Sequence, residues 1–159
     1  GNLLAKFVVA THGYKYKSPF LAKASFGSYN KRIKNLKTSF DWLSRDEVEV
    51  QKYIDSKFCG FPASASFFRD ITSGLCRIHK STEIDKIPKS LSIFFIAGEE
   101  DPVGVYTKTL KKLISVYKKK GIQDVQHIFY TGARHELLNE TNRNEVMKDV
   151  LNWIQHLAS

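Results

Sequence analysis

Apolar positions along the chain recur at two different spacings, and the change of spacing divides it. Over residues 1–90 they follow helical spacing in short, interrupted runs. Leu3, Leu4, Phe7 and Val8 share one helical face, and Gly13 is placed to end that helix. Ser18-Pro19 reads as an N-cap followed by proline at the first helical position, with Leu21 and Ala24 on one face beyond it. Phe26-Gly27-Ser28-Tyr29-Asn30 is loop-like. Ser44 with Glu47 three residues on forms a capping box, opening a helix to about residue 55 with Val48, Val50, Tyr53 and Ile54 as apolar members. Cys59-Gly60-Phe61-Pro62 interrupts the pattern. Phe67, Phe68, Ile71, Leu75 and Ile78 then predict a longer helix over residues 63–79.

Beyond residue 90 the pattern becomes regular. Residues 91–97, Leu-Ser-Ile-Phe-Phe-Ile-Ala, form a nearly unbroken β-rich run that predicts a strand buried on both faces. Tyr106, Leu110, Leu113, Ile114 and Tyr117 share a helix face, with lysines largely opposite and Gly121 as the stop. Residues 125–130 predict a second strand. Val146, Val150, Trp153, Ile154 and Leu157 predict a last helix, opened by Asn142 with Glu145 in cap-like spacing. Strand, helix, strand, helix with short connections implies parallel pairing and a right-handed crossover. Two such strands make too small a parallel sheet to stand alone. The expectation is therefore a piece of a larger α/β protein.

Composition narrows the class. At 159 residues and 42% hydrophobic content, a disordered chain and a stapled miniprotein are both excluded. No apolar run approaches a membrane span, and no secretory signal is recognisable, so the expected location is the cytoplasm. Cys59 and Cys76 lack metal-ligand spacing and read as reduced core thiols. The net charge of +9 is concentrated: residues 1–40 carry eight Lys or Arg and no acid. Tyr14-Lys15-Tyr16-Lys17 interleaves aromatics with lysines, but no cysteine–histidine finger, ribonucleoprotein signature or phosphate loop accompanies it, which argues against nucleic acid. A solvated face or a peripheral contact with an anionic membrane fits the basic segment better.

The chemistry-bearing residues cluster after the two strands, where open α/β sheets place their ligands. The first cluster is Ala97-Gly98-Glu99-Glu100-Asp101-Pro102-Val103-Gly104, and the second is Tyr130-Thr131-Gly132-Ala133-Arg134-His135-Glu136. An acid on one strand-end loop and a histidine on the next can form a relay pair, in which the carboxylate fixes the imidazole tautomer and supports its charged form. Each residue has a plainer reading. Asp101 before Pro102 could be a helix cap, and His135 a loop histidine with one backbone bond.

At these residues the chain resembles the α/β-hydrolases, and within them the bacterial lysophospholipase and monoacylglycerol lipase group that is also classed with serine aminopeptidases. The segments from Ile96 to Gly104 and from Tyr130-Thr131-Gly132-Ala133-Arg134-His135 through Glu140 are similar to that group's acid and histidine segments. Phe26-Gly27-Ser28-Tyr29-Asn30-Lys31-Arg32-Ile33 and Phe40-Asp41-Trp42-Leu43-Ser44-Arg45-Asp46 are similar to its cap. The resemblance covers essentially the whole chain but only the family's C-terminal half. It implies an α/β fold in which residues 1–62 are a helical cap over an acyl pocket and residues 63–159 the C-terminal part of the core. It also implies that Asp101 is the triad acid and His135 the triad base, with no cofactor and with a lipid or acyl ester as substrate.

One departure matters. In this family a Gly-x-Ser-x-Gly elbow carrying the nucleophile precedes the cap, and no such sequence stands among these residues. Ser28 follows Gly27 directly, and Ser64 lies four residues after Gly60, neither in a strand-to-helix setting. The expectation is a fragment that supplies acid and histidine and is inactive alone, completed by a missing N-terminal half or self-associating. The alternative is a non-catalytic basic module that binds an anionic membrane or nucleic acid.

Overall fold

The computed structural model describes residues 1–158. In chain order its elements are α1 (Asn2–His12), α2 (Pro19–Phe26), α3 (Glu47–Asp55), α4 (Ala65–Ile78), α5 (Ser81–Ile84), β1 (Ile93–Gly98), α6 (Lys108–Lys119), β2 (Val125–Tyr130) and α7 (Arg143–Ala158), with one 3-10 turn at Leu137–Asn139. The chain forms two compact units. One comprises residues 1–28 and 60–88; the other comprises residues 29–59 and the chain from Lys89 onward.

The first unit is helical. Its core consists of Ala5, Val8 and Val9 of α1, Leu21 of α2, and Ala65 and Phe68 of α4. The hydroxyl of Ser18 accepts the Leu21 N–H at 3.2 Å, so the expected cap of α2 is formed. The first amides of α4 find partners as well: Ala65 and Ser66 donate to the carbonyls of Tyr16 and Tyr14 at 2.7 and 3.1 Å. The faces differ from the apolar spacing. Leu3 and Phe7 of α1 are exposed, as are Phe67, Ile71, Leu75 and Ile78 of α4. α1 and α4 are tied at one end by Ser73, which donates to Asn2 Oδ1 at 3.0 Å, and Ala5 and Ala65 are both fully buried in the core the helices share. Cys76, expected in the core, is exposed on α4, and Cys59 is half-buried; both are free thiols.

The second unit contains the sheet. β1 and β2 pair in parallel, in register from Ile93 opposite Val125 to Gly98 opposite Tyr130, with α6 as the connection. β1 is half-buried over its first four residues and fully buried only at Ala97 and Gly98, not buried throughout as its sequence suggests. Among the described residues it has one neighbouring strand, where a buried parallel strand has two. Burial is concentrated beneath the carboxyl ends, where Tyr130, Ala133, Leu137 and Val146 cluster with Ile96 and Ile128 against them. α7 inserts Val146 fully, while Ile154 and Leu157 of its expected inner face are exposed.

Two local expectations change. α3 is capped by Asp46, whose carboxylate accepts from Val48 and Glu49, rather than by Ser44. Ser44 is occupied elsewhere, donating to the Asn139 carbonyl at 2.8 Å. α6 begins at Lys108, so Tyr106 lies outside it. Val105, Tyr106 and Thr107 instead take left-handed conformations, with φ of 50, 54 and 67°. Two of the three are β-branched, for which this region is strained.

Candidate active site

Because β1 and β2 end in register, their following loops leave the sheet at the same level. The Glu99 and Glu100 amides donate to the carbonyls of Tyr130 and Ala133 at 3.0 and 2.9 Å. Gly98 permits this approach: a Cβ there would stand 2.1 Å from the Ala133 oxygen and 2.3 Å from that of Arg134. Gly132, at φ 73°, turns the second chain back toward the first.

The two loops bring the predicted acid and histidine together. His135 Nδ1 lies 3.2 Å from Asp101 Oδ2. Asp101 is buried, and its other oxygen, Oδ1, accepts the Val103 N–H at 2.8 Å. Asp101 is not a helix cap, because no helix starts at Pro102 and α6 begins only at Lys108; its Oδ1 closes a turn while Oδ2 faces the histidine. Holding Oδ1 on the backbone aims Oδ2 at the imidazole. The hydrogen bond to Asp101 holds His135 above the ordinary histidine pKa, against the opposing effect of burial; the charges of Asp101 and Glu136 add to the rise. With Nδ1 turned to the carboxylate, Nε2 is the ring nitrogen left for chemistry.

Residues 40–46, read from the sequence as part of a cap, form one wall of this site. The Trp42 ring centroid is 5.2 Å from that of His135, and Tyr29 stacks edgewise on Trp42 at 4.9 Å. Burial first, and the nearby charge of Asp101 second, keep the Tyr29 phenol protonated to higher pH than usual. A cleft of about 230 Å³ beside these residues is lined in part by Tyr29, Arg32, Glu100, Tyr106 and Arg134. The Arg32 guanidinium lies 3.7 Å over the centre of the Tyr106 ring, a cation–π contact held by the left-handed turn.

Main-chain bonds fasten the histidine loop to the same segment. His135 and Glu136 donate to the carbonyls of Trp42 and Leu43 at 3.4 and 2.8 Å. The Arg134 side chain donates to the Asp41 and Ser44 carbonyls at 2.7 and 2.9 Å. Glu140, fully buried, accepts from the Arg134 and Arg45 amides, the Arg45 side chain and the Thr141 amide. None of these fastenings follows from helical or strand spacing. Partners some 95 residues apart leave no local signal. Among the described residues, no group of three or more His, Cys, Asp or Glu side chains could hold a metal ion.

Comparison with known proteins bears on the family and the fold. The solved structures similar to the chain include a highly thermostable carboxyl esterase from Bacillus coagulans in complex with glycerol. That match has 25% identity and a TM-score of 0.87, over 97% of this chain and 50% of the other. A lipase in its open form matches at 22% identity and a TM-score of 0.85, over 100% of this chain and 52% of the other. Monoacylglycerol lipase of Paleococcus ferrophilus matches at 20% identity and a TM-score of 0.59, over 88% and 53%. The chain therefore spans about half the length of the structures it resembles. No curated protein sequence matches it. The family described as serine aminopeptidase, S33 matches over residues 5–142. With most of its length covered by that match, and with the parallel strand–helix–strand–helix order on the page, the chain belongs to this family of α/β-hydrolases.

Proposed function

We propose that the chain supplies the acid, Asp101, and the base, His135, of a serine ester hydrolase whose nucleophile lies on a segment outside these residues. The observation that carries this reading is the 3.2 Å bond between His135 Nδ1 and Asp101 Oδ2 at the ends of two in-register parallel strands. In the reaction, Nε2 of His135 takes the proton from the serine hydroxyl as its oxygen bonds to the ester carbonyl carbon. Collapse of the tetrahedral adduct breaks the ester C–O bond, and the same proton passes to the departing alcohol. Water then attacks the acyl-serine, gives a proton to Nε2, and releases the acid while the serine regains its hydrogen. Asp101 keeps the imidazole tautomer and stabilises the imidazolium at both stages.

The substrate is a lipid or other acyl ester, of the lysophospholipid or monoacylglycerol class, and residues 1–62 are its lid. The exposed aromatic rings of Phe20, Phe26, Phe58 and Phe61 support an acyl-binding role. The eight basic residues of 1–40 suit an anionic lipid surface at which the protein acts peripherally. No helix among the described residues is long and apolar enough to cross a membrane. Replacing four of those eight should weaken binding to anionic vesicles while sparing a soluble short-chain ester. Equal loss on both would mean that the lysines maintain the fold.

Among the described residues β1 pairs only with β2, and a second polypeptide completing the sheet along its other edge fits this arrangement. Sedimentation separates such a partner from self-association. A monodisperse, cooperatively unfolding monomer would overturn both.

A fluorophosphonate probe tests the activity. The chain alone should not label. Joined with a polypeptide carrying Gly-x-Ser-x-Gly it should label on that serine, and His135→Ala should slow labelling by roughly a thousandfold or more. Stoichiometric labelling of a serine within residues 1–159, or labelling indifferent to His135→Ala, would overturn the assignment.

A further inference from the structure

We propose that Glu140 is a positioning residue for His135: a buried carboxylate that fixes the histidine loop against residues 41–46 and so sets the Asp101–His135 bond. This rests on the acid–base reading above and adds a residue that neither the family match nor the relay pair itself assigns. Glu140 is fully buried, and a buried carboxylate is retained only where its lone pairs are filled. Here both oxygens are filled. Oε1 accepts the Arg134 amide at 2.8 Å and the Arg45 amide at 3.1 Å. Oε2 accepts Arg45 Nε at 2.8 Å and the Thr141 amide at 3.0 Å.

The placement of these donors gives the carboxylate its role. One is the peptide N–H immediately before His135, so Glu140 grips the backbone one residue from the imidazole. Two more belong to Arg45, which lies on the segment that also receives His135 and Glu136 through the carbonyls of Trp42 and Leu43. The single anion therefore joins the loop carrying the base to the chain whose Trp42 ring lies against it. All four donors are N–H groups, so an acceptor-only anion matches the site. A carboxamide of the same shape must present an NH₂ to two donors and loses that match. At 3.2 Å, the Asp101–His135 contact stands at the long limit of a good hydrogen bond, so a small retreat of the loop breaks it.

The test uses the imidazole as its own reporter. His135 ring nitrogens are followed by long-range ¹⁵N–¹H NMR against pH in the 159-residue chain, with His135→Gln identifying the signal among the five histidines. Wild type should titrate above the ordinary histidine range, and Asp101→Asn should return it toward that range. Glu140→Gln, with Asp101 intact, should lose most of the same displacement while the rest of the spectrum stays dispersed. A folded Glu140→Gln protein whose His135 titrates as wild type would overturn the proposal and leave the acid–base pair standing. Asp101→Asn without effect would instead remove the pair itself, and this inference with it. Should Glu140→Gln fail to fold, Arg45→Ala decides. It removes the donor at Oε2 from a partly exposed side chain, and a lowered His135 titration supports the role while an unchanged one refutes it.

Discussion

The two units of this chain are held together by different physics. In the first, helices α1, α2 and α4 meet through Ala5, Val8, Val9, Leu21, Ala65 and Phe68, and side-chain hydrogen bonds are mostly local. In the second, charged and hydroxyl side chains join residues 41–46 to residues 134–143, across separations of 90–97 positions. Apolar contact is non-directional and tolerates small shifts, whereas a hydrogen bond fixes both distance and angle. A site that must hold an imidazole to within about half an ångström needs the second kind of fastening. The polar network joining residues 41–46 to residues 134–143 lies at the histidine loop.

Matched substitutions in the two units test this contrast. The largest effects come from emptying each centre. Phe68→Ala should cost about 3–5 kcal/mol through lost packing. Glu140→Ala should cost about 3–5 kcal/mol through four stranded donors. Both tryptophans, Trp42 and Trp153, lie in the second unit, so denaturation followed by tryptophan fluorescence should report Glu140→Ala directly. Equal costs with no change at His135 in the Glu140 variant would erase the distinction.

A glycine in each unit should respond with opposite sign. Gly98→Ala drives a methyl group into the Ala133 carbonyl and should cost about 3 kcal/mol, with loss of the His135 titration shift. Gly74→Ala, in α4 with open space around its Cβ position, should stabilise by about 0.5–1 kcal/mol. Thermal unfolding by circular dichroism reads both, and a Gly98→Ala protein as stable as wild type would contradict the close approach of the strand-end loops.

Smaller effects separate local from long-range hydroxyls. Ser18→Ala removes one cap bond and should cost about 1 kcal/mol. Ser44→Ala strands the Asn139 carbonyl and the Asp46 amide together and should cost about 1–3 kcal/mol in urea unfolding.

The smallest expected effect is that of pH on the second unit. Asp101 raises the His135 pKa above its ordinary 6.5, so the native state binds this proton more tightly than the unfolded chain. The stability so contributed is complete below the unfolded pKa and is lost as pH rises through the folded one. The urea midpoint should therefore decline from about pH 6 upward, and Asp101→Asn should flatten that slope. His135 is partly exposed, so the change is modest.

Much of this architecture is legible in one dimension. The helix over residues 65–78 and the strand over 125–130 lie close to where periodicity puts them, because both periods are set by local backbone geometry. The Gly98–Gly104 and Tyr130–Glu136 segments draw attention to Asp101 and His135 by following the two strands and by their resemblance to the acid and histidine segments of α/β-hydrolases. The faces are less legible. Leu3, Phe7, Ile71 and Leu75 obey helical spacing yet lie at the surface, since spacing states which residues share a side and not which side is covered. Ser44 has the spacing of a cap and serves as a long-range donor instead, because Asp46 competes for α3 and Asn139 lies within reach.

By itself the sequence determined the α/β order of the second half, the concentration of positive charge in residues 1–40, and the position of an acid, Asp101, and a histidine, His135, just after the two strands. These depend on residue type, local period and chain order, all of which are written along the backbone. Only the tertiary structure decided that Asp101 divides its two oxygens between a turn and an imidazole, and that Gly98 lets two loops touch. It also decided that Glu140, Arg45, Arg134 and Trp42 gather around the histidine loop. Those facts depend on groups separated by up to about a hundred residues meeting within 3 Å, and no pattern of residue types along the chain encodes a distance of that kind.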